Sequence, residues 1–305
     1  MKYIAEKIDF KLKNTAVTLG KFDGLHLGHQ MLMEEVLSAK KHGYTSAMFT
    51  FLYHPYNLVA GNEVKLIYTE EEKRQILSKS GLDVLISYPF TQATKNTPPE
   101  DFIKEILVEK LDARVIVVGN DFRFGHNRRG NVDMLKAMED VYGFKVIAFD
   151  KKRWKDTVIS SSVIRNELEK GNMEEVNAML GHPYYIHGKV LHGRKIGRTL
   201  GIPTTNMNTL PNKLLPPCGV YTSRTIIDGI VYPGMTNIGY KPTVGAEKMK
   251  GIETYIYDFD MDLYGKDIDV EILRFERPEV KFDSIEELRI RMQEDLAAGR
   301  RYFGI

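Results

Sequence analysis

The string Gly20-Lys21-Phe22-Asp23-Gly24-Leu25-His26-Leu27-Gly28-His29 sets two imidazoles three residues apart among glycines. It follows a short apolar run, Ala16–Leu19, and opens a segment with helical spacing. A helix N-terminus carries about half a positive charge and unpaired N–H groups, so it attracts phosphate. Imidazoles beside it add donors for the negative charge that builds on phosphoryl oxygens and leaving pyrophosphate during nucleotidyl transfer. A His-x-x-His pair can also ligate metal, but no third ligand stands nearby, and the usual fate of such a pair is a glycine-rich turn with surface histidines. No G-x-x-x-x-G-K-[ST] string occurs, so this is not a Walker A loop. A second string, Ile159-Ser160-Ser161-Ser162-Val163-Ile164-Arg165, reads as a helix start. Its serines satisfy the first N–H groups, and Arg165, one turn in, can reach a phosphate. By itself it is a simple N-cap. A third, Gly197-Arg198-Thr199-Leu200-Gly201-Ile202-Pro203-Thr204-Thr205-Asn206, is an irregular loop set by its glycines and by the fixed φ of Pro203. Thr204 and Asn206 are oxygen ligands suited to hard Mg²⁺ bridging ATP phosphates, although Pro-Thr-Thr-Asn alone reads as a turn. The local basic cluster Arg194, Lys195 and Arg198 suits a phosphate-bearing small molecule.

These strings sit on elements of two kinds. Thr45–Phe51, Asp83–Tyr88, Arg114–Val118 and Lys145–Phe149 are strand-like, and they alternate with helical spacing over Gln30–Lys41, Glu70–Ser80, Pro99–Leu111 and Val132–Tyr142. Such alternation predicts a parallel sheet with helices on both faces. Ligands of these sheets sit at the carboxyl ends of strands, where Gly20–His29 falls. Ser160–Leu180 reads as one or two helices with a break at Gly171-Asn172. After Gly181-His182-Pro183 the pattern changes to short strand-like runs (Tyr185–Leu191, Gly219–Ile227, Thr254–Phe259, Ile268–Phe275) in a stretch rich in Gly, Pro, Thr, Tyr and Ile. That is the pattern of a small barrel or sandwich. Ser284–Ala298 closes the chain as an amphipathic helix, with Ser284 as N-cap and Glu287 at the capping-box position. Two domains follow, residues 1–182 and 183–305.

Composition narrows the function classes. At 305 residues the chain exceeds a single core, and its hydrophobic (43%) and charged (28%) fractions are those of a soluble globular protein. Lys plus Arg number 43 against 41 acidic residues, a formal charge of +2, so nothing argues for nucleic acid or an acidic membrane surface. The single cysteine, Cys218, excludes an internal disulfide and a thiolate zinc site. No apolar run approaches the ~20 residues that span a bilayer, and residues 1–14 lack a signal-peptide core. A cytoplasmic location is the expectation.

Longer agreement makes the strings specific. Gly20–His29 resembles the G-x-F-D-G-x-H-x-G-H signature of nucleotidylyltransferases in the form used by bacterial FAD synthetases. Ile159–Arg165 is similar to that superfamily's I-S-S-T-x-I-R motif, with Ser162 where Thr is usual. Phe51-Leu52-Tyr53-His54-Pro55 resembles F-x-P-H-P, with Tyr53 for the first proline. Gly119-Asn120-Asp121-Phe122-Arg123-Phe124-Gly125 resembles V-G-x-D-F-x-F-G. Gly197–Asn206 is similar to the riboflavin kinase signature G-R-x-L-G-x-P-T-A-N, with Thr205 for Ala. Gly219-Val220-Tyr221, Asn237-Ile238-Gly239 with Pro242-Thr243, Glu253-Thr254 and Asp262-Leu263-Tyr264-Gly265 follow in kinase order. Tyr255 replaces a frequent His, and Phe275–Phe282 with the closing helix and Asp295 resemble the kinase's flavin-binding element. Along nearly its whole length the chain resembles the prokaryotic bifunctional riboflavin kinase/FMN adenylyltransferase (FAD synthetase) family.

That resemblance implies a Rossmann-like α/β nucleotidylyltransferase domain, then a small Greek-key β-barrel riboflavin kinase domain with a C-terminal helix. It implies two ATP-dependent steps, riboflavin to FMN and then FMN to FAD and pyrophosphate. The implied catalytic residues are His26, His29, Arg165 and Glu253, the last accepting the proton of the ribityl 5′-hydroxyl. ATP would meet Gly20, Phe22, Asp23, Gly24, Gly28, Ser160, Ser161, Ser162, Gly197, Arg198 and Gly201. Flavin would meet His54, Pro55, Asn120, Asp121 and Arg277, with Mg²⁺ on Thr204 and Asn206. Riboflavin, FMN and ATP are the expected partners, with no nucleic acid, membrane or obligate protein partner. Two rivals remain: a chain active only as a kinase, and a flavin-binding regulator without catalysis. Retention of His26, His29, Asn206 and Glu253 argues against the regulator, since a binder would not need all four.

Overall fold

The computed structural model describes residues 1–52, 65–193, 197, 201–240 and 250–305, and the chain divides into two compact units, Met1–Ser161 and Ser162–Ile305. His54, Pro55, Arg194, Lys195, Arg198, Pro242 and Thr243 lie outside the described residues.

In the first unit, strands β1 (Lys2–Ala5), β2 (Thr15–Leu19), β3 (Thr45–Phe51), β4 (Val84–Tyr88), β5 (Ala113–Gly119) and β6 (Lys145–Phe149) form a parallel sheet in the order β1-β4-β3-β2-β5-β6. Successive side chains feed two cores. Val17, Leu19, Phe49, Ile86, Ile116 and Val118 pack on one face with Ile103, Ile106, Leu107 and Leu135. Ala16, Met48, Leu85 and Val117 pack on the other with Leu32, Val36 and Leu77. Burial on both faces is why these strands read as continuous apolar runs. Helices α1 (Leu27–Ser38) and α2 (Glu70–Ser78) contribute to the second core. The stripe expected over Pro99–Leu111 is buried, but only Pro99–Asp101 is α-helical; Phe102–Lys110 takes wider turns, with Leu111 N–H donating to Ile106 O at 3.0 Å. From β2 the chain adds strands outward through β3 and β4, then restarts on the other side with β5. The sheet order thus reverses between β2 and β5, the place where open α/β sheets bind ligands.

Helix α3 (Ser161–Lys170) begins at the division between the units, and α4 (Met173–Leu180) follows it. The strands of the second unit are β7 (Tyr184–Leu191), β8 (Thr205–Asn208), β9 (Gly219–Ile227), β10 (Ile230–Tyr240), β11 (Lys250–Ile256) and β12 (Asp267–Pro278). They close an antiparallel barrel in the order β7-β8-β11-β10-β9-β12. Strands β9, β10 and β11 run consecutively and β12 returns beside β9, which is the Greek-key path. The Asn177 amide of α4 donates to Ile272 O at 3.0 Å and accepts from Tyr184 N–H at 2.7 Å. These bonds tie α4 to β12 and β7, so the units part at Ser161, earlier than the change of sequence pattern at Gly181–Pro183. Helix α5 (Ile285–Phe303) lies on the barrel through Leu296 and Phe303, which pack against Val220, Met235 and Tyr257.

Candidate functional site

The first constellation forms where β2 ends. Phe22 and Leu25 are buried with φ of 47° and 46°, and Gly24 has φ of 89°, so the turn is held in conformations that side chains rarely adopt. The turn aims His26 to cap α1, its Nδ1 accepting the His29 N–H at 3.4 Å. The two imidazoles stack with centroids 3.6 Å apart, and the Phe22 ring meets His29 edge-on at 5.0 Å. A Cβ on Gly28 would lie 3.2 Å from the His26 ring, and one on Gly20 the same distance from the Phe22 ring. These glycines make room for the motif's own rings. Burial pushes the His26 pKa down to about 4. Burial, then the neighbouring charges of His26 and Lys73, hold His29 well below its usual range. His29 is half-buried, and its Nδ1 is shielded and has no hydrogen-bond partner among the described residues. Both rings are therefore neutral at pH 7. A His26 whose Nδ1 accepts carries its proton on Nε2, which is then an N–H donor.

Asp23, expected at ATP, is buried, and its carboxylate accepts the Ile67 N–H at 2.9 Å. Its carbonyl accepts from Ser161 Oγ at 2.7 Å, which brings the serine string to the histidine string within the first unit. Ser160 is half-buried. Ser162 and Arg165 fall in the second unit, Ser162 exposed and Arg165 half-buried on α3. Asn120 and Asp121 lie on the rim beyond β5. Asn120 bonds Asp150, and the Asp121 carboxylate is 2.8 Å from Lys151 Nζ. The adjacent Phe122 and Phe124 stack at 5.6 Å, Phe124 buried in the first core and Phe122 half-buried against it.

The second constellation is a register row across the barrel. Glu253 on β11 pairs with Asn206 on β8 and with Asn237 on β10; Asn237 pairs with Val220 on β9, and Val220 with Arg277 on β12. Direct partners point to one face, so five side chains far apart in sequence line up with Cβ atoms roughly 5 Å from neighbour to neighbour. The next row, Thr205, Thr254, Thr236 and Tyr221, points inward, and Thr236 bonds both Ser223 and Thr254 at 2.8 Å. Asn206 is buried, its amide so close to Gly193 that a Cβ there would lie 2.3 Å from Nδ2. Gly197 O accepts the Ile202 N–H at 2.8 Å, a Cβ on Gly197 would sit 3.4 Å from Thr204 Oγ1, and Gly201 has φ of 74°. Gly197 and Ile202 are thus held together just before Thr204 and Asn206. Arg277 stands in the row, but Asp295 of α5 engages its guanidinium twice, at 2.8 and 2.6 Å. Asn237 was visible only as part of a motif; its place beside Glu253 depends on register, which the sequence does not print.

Comparison with known proteins decides the family. Residues 9–163 match the FAD synthetase family model, and residues 180–303 match that of riboflavin kinase. A Buchnera aphidicola protein described as a bifunctional riboflavin kinase/FMN adenylyltransferase is 36% identical, covering 96% of this chain and 94% of its own. Proteins of the same description from Listeria monocytogenes and Bacillus subtilis are 34% and 35% identical, each over 95% of this chain and over 93% and 92% of their own. The chain belongs to the bifunctional riboflavin kinase/FMN adenylyltransferase family. The FAD synthetase match of that family contains the His26–His29 constellation and ends just past Ser162, while the riboflavin kinase match contains the whole register row. A solved structure described as a macrolide-efflux protein from Streptococcus pneumoniae superposes with a TM-score of 0.87 at 28% identity, over 98% of this chain and 99% of that one. It supports the same two-part fold. Among the described residues no helix is long and apolar enough to cross a membrane.

Proposed function

We propose that this chain performs both reactions of its family, each on its own constellation: riboflavin phosphorylation on the barrel and FMN adenylylation at the end of β2. The observation that carries the reading is the pairing of Glu253 with Asn206 across β11 and β8, which sets a carboxylate beside a phosphate-loop oxygen. In the kinase step Glu253 accepts the proton of the ribityl 5′-hydroxyl as its oxygen attacks the γ-phosphorus of ATP. General-base help of this kind is worth about 10²–10⁴-fold, the rest being positioning and charge stabilisation.

Thr204 and the Asn206 carboxamide offer only neutral oxygens, and no cluster of three His, Cys, Asp or Glu occurs among the described residues. That donor set fits Mg²⁺, which keeps several waters and leans on nucleotide phosphates. The ion, when bound, neutralises charge on the transferred phosphoryl group. Asn206, packed against Gly193, is held in one place for that task.

In the adenylyl step an FMN phosphate oxygen attacks the α-phosphorus of ATP, and the bond to pyrophosphate breaks. His26 and His29 act as neutral donors to the phosphoryl oxygens, aided by the N-terminus of α1. Ser160 and Ser161 contact ATP beside them, Arg165 assists, and Asn120 and Asp121 flank the FMN. The proposed active domains are residues 1–182 and 183–305, in the cytoplasm. Incubation with riboflavin, ATP and Mg²⁺, followed by chromatography, should yield FAD by way of FMN. FMN alone would leave a kinase with an inert first unit, and neither product would leave a flavin binder.

A further inference from the structure

The adenylyl-transfer reading names one charged side chain at the phosphates, Arg165. Burial keeps both imidazoles neutral, and Arg165 belongs to the second unit. Neutral donors alone bind a triphosphate more weakly than charged ones, whose hydrogen bonds are roughly twice as strong. The first unit holds a buried cation that sequence reading passes over, because Glu70-Glu71-Glu72-Lys73 looks like a solvated helix face. Lys73 on α2 is 6% exposed, and the only partner of its ammonium among the described residues is Glu70, at 3.2 Å. Glu70 is itself shared, its Oε1 accepting from Tyr3 Oη at 3.0 Å and from Ser87 Oγ. An ammonium has three N–H donors, so Lys73 keeps donors without acceptors in a place that admits little water.

Its placement is determined by the histidine motif. Asp23 holds the Ile67 N–H at 2.9 Å, and two residues on Thr69 opens α2 with a reciprocal Thr69–Glu72 cap. At the other end of α2, Ile76 and Leu77 pack in one cluster with Phe22, Leu25 and Leu32. Helix α2 is thus tied to the motif before its start and shares the motif's core cluster at its end, with Lys73 between, and the Lys73 charge is one cause of the lowered His29 pKa.

We propose that Lys73 contacts the phosphate chain of the nucleotide at the His26–His29 pair, and that Asp23 is the positioning residue that keeps α2 in place for it. The proposal rests on the adenylyl-transfer reading above. Lys73 stabilises the departing pyrophosphate.

The test uses the full chain with Lys73→Met, Lys73→Gln and Lys73→Arg. FMN adenylylation, riboflavin phosphorylation and inhibition by inorganic pyrophosphate are measured on each preparation. Lys73→Met should lose about 100-fold in FMN adenylylation, the scale of one lost transition-state donor. KM for ATP should rise, pyrophosphate inhibition should weaken in parallel, and riboflavin phosphorylation should hold. Lys73→Arg should recover part of the loss. A folded Lys73→Met that adenylylates FMN within about threefold of wild type, with unchanged pyrophosphate inhibition, overturns the proposal. Should the methionine variant unfold the first unit, Lys73→Gln decides, since glutamine keeps a hydrogen-bonding head but removes the charge. A raised KM for ATP with weakened pyrophosphate inhibition then supports the contact, and unchanged values overturn it. A wild-type chain that makes no FAD from FMN fails the underlying reading instead, a result visible before any variant is compared.

Discussion

His26 shows how one residue joins folding to chemistry. Its ring caps α1, stacks on His29 and is 6% exposed, so burial lowers its pKa from 6.5 to about 4. Between those values the unfolded imidazole binds a proton that the folded one rejects. Stability is therefore full above pH 6.5 and is lost as pH falls from 6.5 towards 4, by about 3 kcal/mol in all. The lowered pKa of His29 acts in the same sense. Trp154, the only tryptophan, belongs to the first unit and makes the change observable. Urea unfolding followed by its fluorescence should show a midpoint that drops from pH 7 to pH 5, and His26→Asn should flatten that drop. Equal slopes in wild type and variant would remove His26 as the cause. The histidines were legible in sequence because spacing and the preceding strand named them. The bond from Asp23 to Ile67 was not, because a backbone partner so far along the chain leaves no trace in composition or period.

At the scale of elements, most of the sheet and several barrel strands were readable, because burial on both faces writes apolar runs and Gly219–Ile227 is bounded by turn residues. Strand β8 and the long β10 were not expected, since Thr205–Asn208 is polar and Ile230–Tyr240 is interrupted by Pro233 and Gly234. The Ser284 cap of α5 is present, but Glu287 reaches the Asp283 N–H at 3.2 Å instead of closing the box on Ser284. How α5 sits was invisible too. A Cβ on Gly299 would lie 2.3 Å from Tyr257 Oη and 2.5 Å from Met235 Sδ, while Tyr257 Oη donates to Leu296 O at 2.6 Å. An exposed helical glycine changed to alanine gains about 1 kcal/mol of helix propensity. Here the overpacking cost of about 1–3 kcal/mol should win. Gly299→Ala is expected to lower the melting temperature of the second unit and riboflavin phosphorylation, with FMN adenylylation unchanged. A rise in melting temperature would show that α5 does not bear on Tyr257.

At the scale of the whole molecule, the kinase reaction should separate with the barrel. Asn177 ties α4 to the barrel, so a fragment Ser162–Ile305 should fold more stably than Pro183–Ile305, by urea midpoint, and both should phosphorylate riboflavin. Equal midpoints would make α3 and α4 dispensable to the barrel. The most direct measurement is a double dissociation in the full chain, with His29→Ala and Glu253→Gln each assayed on riboflavin and on supplied FMN. His29→Ala should accumulate FMN, its FAD formation reduced about 10²–10³-fold by loss of one transition-state donor. Glu253→Gln should stop at riboflavin yet still convert supplied FMN to FAD. If either substitution, at unchanged thermal stability, lowers both activities equally, the assignment of one reaction to each constellation is contradicted.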